Sequence, residues 1–135
     1  MLTLKTYLKK YPISLLFITA IWVFSFIDVP ETPLDDVSLI DKWAHTAMYG
    51  VTCGMVWLEY LLKHKKILPW RLFVFAFIAP IFMGGVIELL QEYCTGGRRT
   101  GDLLDFAANT LGITLAAGAG TLSAWYRAKH YKACA

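Results

Sequence analysis

Three short polar stretches of this sequence carry residues whose types and spacing suit a chemical site. In each stretch polar residues recur at intervals of three or four, which places them on one face of an α-helix. Carboxylates, an imidazole and cationic side chains together can bind a charged head group, hold a divalent cation or move protons. The residues are Asp41, Lys42 and His45 in the first stretch, Glu88 and Gln91 in the second, and Arg98, Asp102, Asp105 and Asn109 in the third.

The segments around these stretches are strongly apolar. Of the 135 residues, 57% are hydrophobic and only 17% are charged, and the charges cluster between apolar runs. A helix needs about 20 apolar residues to cross the bilayer core, where its backbone groups must be paired internally. We therefore predict a single all-α domain over residues 1–135, an integral membrane bundle of four transmembrane helices. Their predicted ranges are about 11–27, 41–62, 72–94 and 102–126, with a local distortion at Pro80.

The basic residues predict the orientation of this bundle. Ten of the thirteen lie in the N-terminal segment, the loop after the second helix and the C-terminal tail, whereas the first loop, 28–40, has four acidic residues and no basic one. Cytoplasmic loops are enriched in Lys and Arg. Both termini are therefore predicted inside, in a multi-pass protein of the inner (cytoplasmic) membrane. The three polar stretches then meet at the extracytoplasmic face.

Small residues continue the polar face of the fourth helix. Gly112, Ala116 and Gly120 follow Asn109 at helical spacing, and Gly50 and Gly54 offer a similar face on the second helix. Small residues let helices approach closely in lipid, so we expect these faces inside the bundle. A homodimer through the second helix is the alternative.

The helix ends predict pairing among the charges. A helix N-terminus favours anions and a C-terminus favours cations. Asp102 suits an N-cap, but Lys42 lies at the start of one helix and Glu88 at the end of another, each at the unfavourable end. We therefore expect Lys42 or Arg98 to pair with Glu88.

Four short motifs, in this order, resemble the VanZ-like family. They are D-K-x-x-H at Asp41–His45, I-E-L-L-Q at Ile87–Gln91, G-R at Gly97–Arg98 and G-D-x-x-D-x-x-x-N-x-x-G at Gly101–Gly112, and the resemblance covers about residues 34–118. The family is a small integral membrane domain, one member of which is associated with teicoplanin resistance. The resemblance implies the same membrane class, a link to the cell envelope and antibiotic resistance, and the nine site residues above. It does not supply a reaction.

The favoured function is binding. The pocket is expected to hold an anionic or amphiphilic head group from a cell-envelope lipid, a lipid-linked precursor or a lipoglycopeptide antibiotic. A guanidinium suits phosphate or carboxylate. Arg98, directly after Gly97, is taken as the pocket arginine, with Arg99 as the alternative. The acidic first loop favours a zwitterionic or partly cationic head group.

The alternative is an enzyme that hydrolyses or transfers groups on a lipid-linked phosphate. His45, Asp41 and Glu88 are its candidate catalytic residues, with His45 as general base oriented by Asp41. A divalent metal cofactor is possible, with Asp105 as a further ligand, but no spacing matches a known metal motif, so no metal ligands are assigned. Nucleic-acid binding is not expected, because short juxtamembrane loops hold most basic residues. A transport function would require a homo-oligomer.

Overall fold

The computed structural model describes residues 4–27, 39–64, 69–97 and 101–133, and every regular element within them is helical. The all-α prediction is confirmed. A single π-helical turn, Val74–Ile78, interrupts the α-helices of the described residues. The α-helices are α1 (Leu4–Lys10), α2 (Pro12–Phe26), α3 (Ile40–Lys63), α4 (Pro69–Phe73), α5 (Ala79–Cys94) and α6 (Leu103–Ala133).

The bounds of the helices match the apolar segments of the sequence. α2 falls within 11–27, α3 spans 41–62, and α4, the π-turn and α5 run without a break through 72–94. α6 begins one residue after the predicted start and extends seven residues beyond the predicted end. Within the described residues, two stretches, Trp70–Cys94 and Leu103–His130, are long and apolar enough to cross a membrane, whereas the apolar α2 is shorter.

The π-turn lies immediately before Pro80. Proline has no N–H, and its ring collides with the carbonyl oxygen four residues earlier in a regular α-helix, here that of Ala76. The backbone N–H of Ala79 bonds instead to the carbonyl oxygen of Val74, five residues back. The distortion predicted from Pro80 therefore takes the form of a widened turn.

α3 and α6 form the closest helix pair through their small residues. A Cβ added to Gly112 would overlap the backbone carbonyl of Thr46 and lie 2.9 Å from the backbone nitrogen of Gly50. One added to Gly120 would overlap the ring of Trp57. Glycine is therefore required at both positions of α6, because any side chain would separate the two helices.

The buried core lies below the polar residues of α3 and α6. Its fully buried side chains come from four helices, which shows that α2, α3, α5 and α6 share one core. An added Cβ on Gly54 would meet nothing within 4 Å, so the close packing of α3 uses Gly50 and not Gly54. The core residues are Ile21, Tyr49, Cys53, Ile87, Ile113 and Ala116.

The buried carboxylate of Glu59 joins the start of α2 to the C-terminal end of α3. Glu59 is 3% exposed and accepts hydrogen bonds from the backbone N–H and the hydroxyl of Ser14, at 2.8 and 2.6 Å. Its other oxygen lies 3.2 Å from the ammonium of Lys63. Glu59 therefore supplies acceptors to the first turn of α2, where backbone N–H groups have no helical partner.

Candidate functional site

Three helix ends meet at one end of the bundle. Here the start of α3, the end of α5 and the start of α6 bring together a group of side chains that we call the polar cluster. Contacts within hydrogen-bonding distance connect all three helices, as the shared depth of the polar stretches predicts. The polar cluster consists of Asp41, Lys42, His45, Glu88, Asp102, Asp105 and Asn109.

Lys42 joins α3 to α6 at this end. Its ammonium nitrogen lies 2.5 Å from Oδ1 of Asp105, 3.0 Å from Oδ2 of Asp102 and 3.7 Å from Oδ2 of Asp41. Of the two expected partners of Glu88, Lys42 is therefore wrong, and Arg98 lies outside the described residues. Lys42 is one residue, or about 100° of helix rotation, from Asp41, and this direction faces α6 instead of α5.

A chain of hydrogen bonds runs through the buried part of the cluster. Asn109 donates its amide N–H to Oε1 of Glu88 at 3.0 Å, so its own carbonyl oxygen faces Nδ1 of His45 at 3.0 Å. A carbonyl oxygen only accepts, so Nδ1 carries the proton. In neutral His45 the lone pair is then on Nε2, which lies 3.9 Å from Oδ1 of Asp41. All three members of the chain are less than 9% exposed.

Glu88 also contacts the backbone at the start of α6. Its Oε2 accepts a hydrogen bond of 3.4 Å from the backbone N–H of Asp102. A Cβ on Gly101 would overlap the carbonyl oxygen of Glu88, so only glycine allows this approach of the loop to α5. The nearby backbone N–H of Gly101 donates to Glu92 at 3.0 Å. The carboxyl group of Glu88 thus accepts hydrogen bonds from Asn109 and from the backbone of Asp102, and it has no lysine partner among the described residues.

Asp102 caps α6 as its sequence suggests. Its Oδ1 accepts the backbone N–H of Leu104 at 2.9 Å, and its carbonyl oxygen accepts from Asp105 and Phe106. The Leu104 N–H, together with the Lys42 ammonium, holds the pKa of the Asp102 carboxyl below its usual range. Asp102 is therefore ionised at neutral pH, both as a cap and as a partner of Lys42.

One predicted site residue, Gln91, lies apart from the cluster. Gln91 is 3% exposed and donates to the backbone carbonyl of Ser25 at 2.8 Å, so it connects α5 to α2. Gln91 does lie one helical turn after Glu88, but α2 packs against Gln91 and separates it from the polar cluster. Arg98 and its alternative Arg99 lie outside the described residues.

Tyr49 is a neighbour of the cluster that the predicted site omitted. It is 1% exposed, and its hydroxyl has no hydrogen-bond partner among the described residues. A Cβ added to Gly84 would lie 3.5 Å from this hydroxyl and 3.6 Å from Nδ2 of Asn109, so both groups lie beside Gly84. The signal in the sequence was its position four residues after His45 on the same face.

The polar cluster carries more negative than positive groups. It contains four carboxyl side chains and one ammonium, and the carboxyl of Asp41 is its most accessible group, with a side chain that is 61% exposed. Such a site can attract a cation or the amino group of a ligand through Asp41, while the buried members fix its geometry.

Comparison with known proteins adds no relative. The chain matches no protein-family model, no curated protein and no solved structure. The resemblance to the VanZ-like family therefore rests on the four sequence motifs. Three of them contribute side chains to the polar cluster, and the fourth contains Arg98, outside the described residues.

Proposed function

We propose that the chain is a multi-pass protein of the cytoplasmic membrane, of the VanZ-like type, with four spans and both termini inside. The outward faces of its helices support this. Leu16, Phe82 and Leu115 are 67%, 73% and 61% exposed on three different helices. Exposure of such apolar faces to water is unfavourable, whereas contact with lipid chains is not. Five further large apolar side chains are also exposed: Phe75, Leu58, Leu104, Leu111 and Leu122.

The opposite end of the bundle supports the orientation. Lys63 bonds to the backbone carbonyl of Lys10, and Arg127 bonds to the carbonyls of Leu61 and His64. Lys10, Lys63 and Arg127 thus lie at the end of the bundle away from the polar cluster. The positive-inside rule then puts the polar cluster at the extracytoplasmic face.

In this orientation the polar cluster binds the polar head group of an amphiphilic molecule. The observation that carries the proposal is the arrangement of an accessible carboxylate, Asp41, above buried and mutually bonded His45, Asn109 and Glu88. The excess of carboxylates favours a head group with an amino group, and Lys42 and Arg98 serve any anionic group beside it. A cell-envelope lipid, a lipid-linked precursor and a lipoglycopeptide antibiotic are the candidate sources.

A purely structural role explains Asp41 poorly. Its contacts with Lys42 and His45 are 3.7 and 3.9 Å long, and its side chain is 61% exposed. Exposed ion pairs of this kind typically add about 0–1 kcal/mol to stability. One or two of the closer pairs already suffice to hold α3, α5 and α6 together. The carboxylate of Asp41 is therefore available to a ligand.

Lipid retention tests the proposal. Asp41→Asn is expected to reduce, by about tenfold, the amount of amine-bearing lipid that copurifies with the protein in mild detergent, because a charge-assisted hydrogen bond of about 1.4 kcal/mol is lost. Mass spectrometry of the extracted lipids measures this. The control is Lys9→Ala, an exposed change in α1, which should leave the lipid profile unaltered. Equal lipid profiles in the parent and Asp41→Asn would refute head-group binding at this cluster.

An enzyme of lipid-linked phosphates is the second candidate function. The observation in its favour is the Nε2 lone pair of His45, which lies near Asp41 and is free to accept a proton. This candidate predicts that purified protein releases phosphate from a lipid-linked diphosphate and that His45→Ala abolishes the release. Our binding proposal predicts no turnover by either protein.

A further inference from the structure

Three side chains of the polar cluster have the composition and spacing of a metal site. Asp41, His45 and Asp105 each offer one ligand atom, and these atoms all lie within 4.8 Å of one another. Imidazole nitrogen with two carboxylate oxygens suits Zn²⁺ or Mn²⁺ better than Mg²⁺, which prefers oxygen ligands alone and retains several waters. We infer that this trio binds one divalent transition-metal ion at the rim of the polar cluster.

The orientation of His45 is an independent sign of a ligand. The side chain is 10% exposed, and its Nδ1 is hydrogen-bonded to Asn109. Its Nε2 accepts no hydrogen bond from the described residues and lies on the side of Asp41, at 3.9 Å from Oδ1. Histidines that bind metals usually donate the other ring N–H to an oxygen that fixes the tautomer. Asn109, itself fixed by Glu88, provides that oxygen here.

The separation of the trio leaves room for an ion. Ligand atoms bound at about 2.1 Å to one ion lie about 3–4 Å apart, so the three groups must converge by about 1 Å on binding. Asp41 can make this movement because its side chain is 61% exposed. Asp105 and His45 lie on α6 and α3, whose backbones touch at Gly112, so the distance between the two helices is fixed while the Asp105 side chain can still turn.

Lys42 is the internal competitor for this ion. Its ammonium lies 2.5 Å from Oδ1 of Asp105, and the metal ion would bind the same carboxylate. Asp102, at 3.0 Å, can keep the ammonium when Asp105 turns toward the ion. Lys42 therefore weakens metal binding without preventing it. Its removal should strengthen binding, an effect that a misfolded variant cannot imitate.

This site goes beyond the proposed head-group binding and does not depend on it. The ion is bound by protein side chains alone, so binding can be measured in detergent without any added lipid. Failure of the lipid experiment would leave the metal site standing, and failure of the metal experiment would leave head-group binding standing.

The test is a titration of the full-length purified protein, without a histidine tag, with Zn²⁺ and separately with Mn²⁺, followed by calorimetry and equilibrium dialysis. We expect one ion per chain, binding about 10–100-fold weaker in His45→Ala and in Asp105→Asn, and binding at least about fivefold tighter in Lys42→Met. The control is His64→Ala, which removes an imidazole from the opposite end of α3 and should not change the affinity.

Three results would overturn the assignment. One is the absence of stoichiometric binding of either ion in the parent. Another is unchanged affinity in both His45→Ala and Asp105→Asn, which would mean that the ion binds elsewhere. The third is weaker binding in Lys42→Met, which would show that Lys42 assists the ion instead of competing with it.

Discussion

Gly112→Val should lower the free energy of unfolding by about 3 kcal/mol or more, the upper end of the usual range for overpacking. A Cβ at this position overlaps the backbone carbonyl of Thr46 and approaches the backbone nitrogen of Gly50. Backbone atoms cannot move aside as a flexible side chain can, so α3 and α6 must separate. The separation would also draw Lys42 away from Asp105, and the polar cluster would be lost with the helix contact.

Gly118→Val provides the matched control for this change. It lies on the same helix, and an added Cβ there meets nothing within 4 Å. Because valine has a better helix propensity than glycine, we expect this variant to be as stable as the parent or slightly more stable. Thermal unfolding in detergent, followed by circular dichroism, measures both variants. Equal melting temperatures for Gly112→Val and the parent would contradict the close contact of α3 with α6.

Glu88→Ala should have the second largest effect. It leaves the buried amide of Asn109 without its acceptor, which costs about 1–3 kcal/mol, and it also removes the acceptor of the half-buried backbone N–H of Asp102. Asn109 is then free to rotate, so the proton of His45 is no longer fixed on Nδ1. We expect both a lower melting temperature and at least about a tenfold loss of lipid retention.

Glu88→Gln separates hydrogen bonding from charge. A glutamine carbonyl can still accept from Asn109, so most of the stability should remain, whereas a glutamine side chain cannot ionise. Melting temperature and retained lipid, measured on the same preparations, distinguish the two contributions. If Glu88→Ala matched the parent in both measurements, the chain from His45 through Asn109 to Glu88 would have no part in stability or binding.

The sequence alone predicted the helices and the meeting of the polar stretches. Apolar length located the helical segments, and the alternating direction of successive helices predicted that the relevant helix ends lie together. The contacts of Lys42 with Asp102 and of Glu88 with Asn109 bring those three ends together. These two predictions required no knowledge of side-chain conformations. Successive helices of a bundle run in opposite directions, so the end of one helix lies beside the start of the next.

The partners within the cluster could not be predicted from spacing. Periodicity gives the face of each helix but not the rotation of that face toward a neighbour. Lys42 contacts Asp105 on α6 and not Glu88 on α5, and Gln91 contacts Ser25 on α2. A difference of about 100° between adjacent residues was sufficient to change the partner helix.

The role of Glu59 was hidden for another reason. A carboxylate within an apolar run signals a partner, but its main partners are the backbone N–H and the hydroxyl of Ser14. A backbone N–H has no sequence signature. Only the placement of the first turn of α2 beside the end of α3 reveals the contact.

The accessibility of Asp41 from outside the cell tests the central claim most directly. In a chain whose cysteines (Cys53, Cys94 and Cys134) are replaced by serine, Asp41→Cys and Lys9→Cys introduce single thiols at opposite ends of the bundle. A membrane-impermeant maleimide applied to intact cells should label Asp41→Cys, and it should label Lys9→Cys only after the membrane is permeabilised. Labelling of Lys9→Cys in intact cells, with Asp41→Cys protected, would contradict a polar cluster that opens to the extracytoplasmic face.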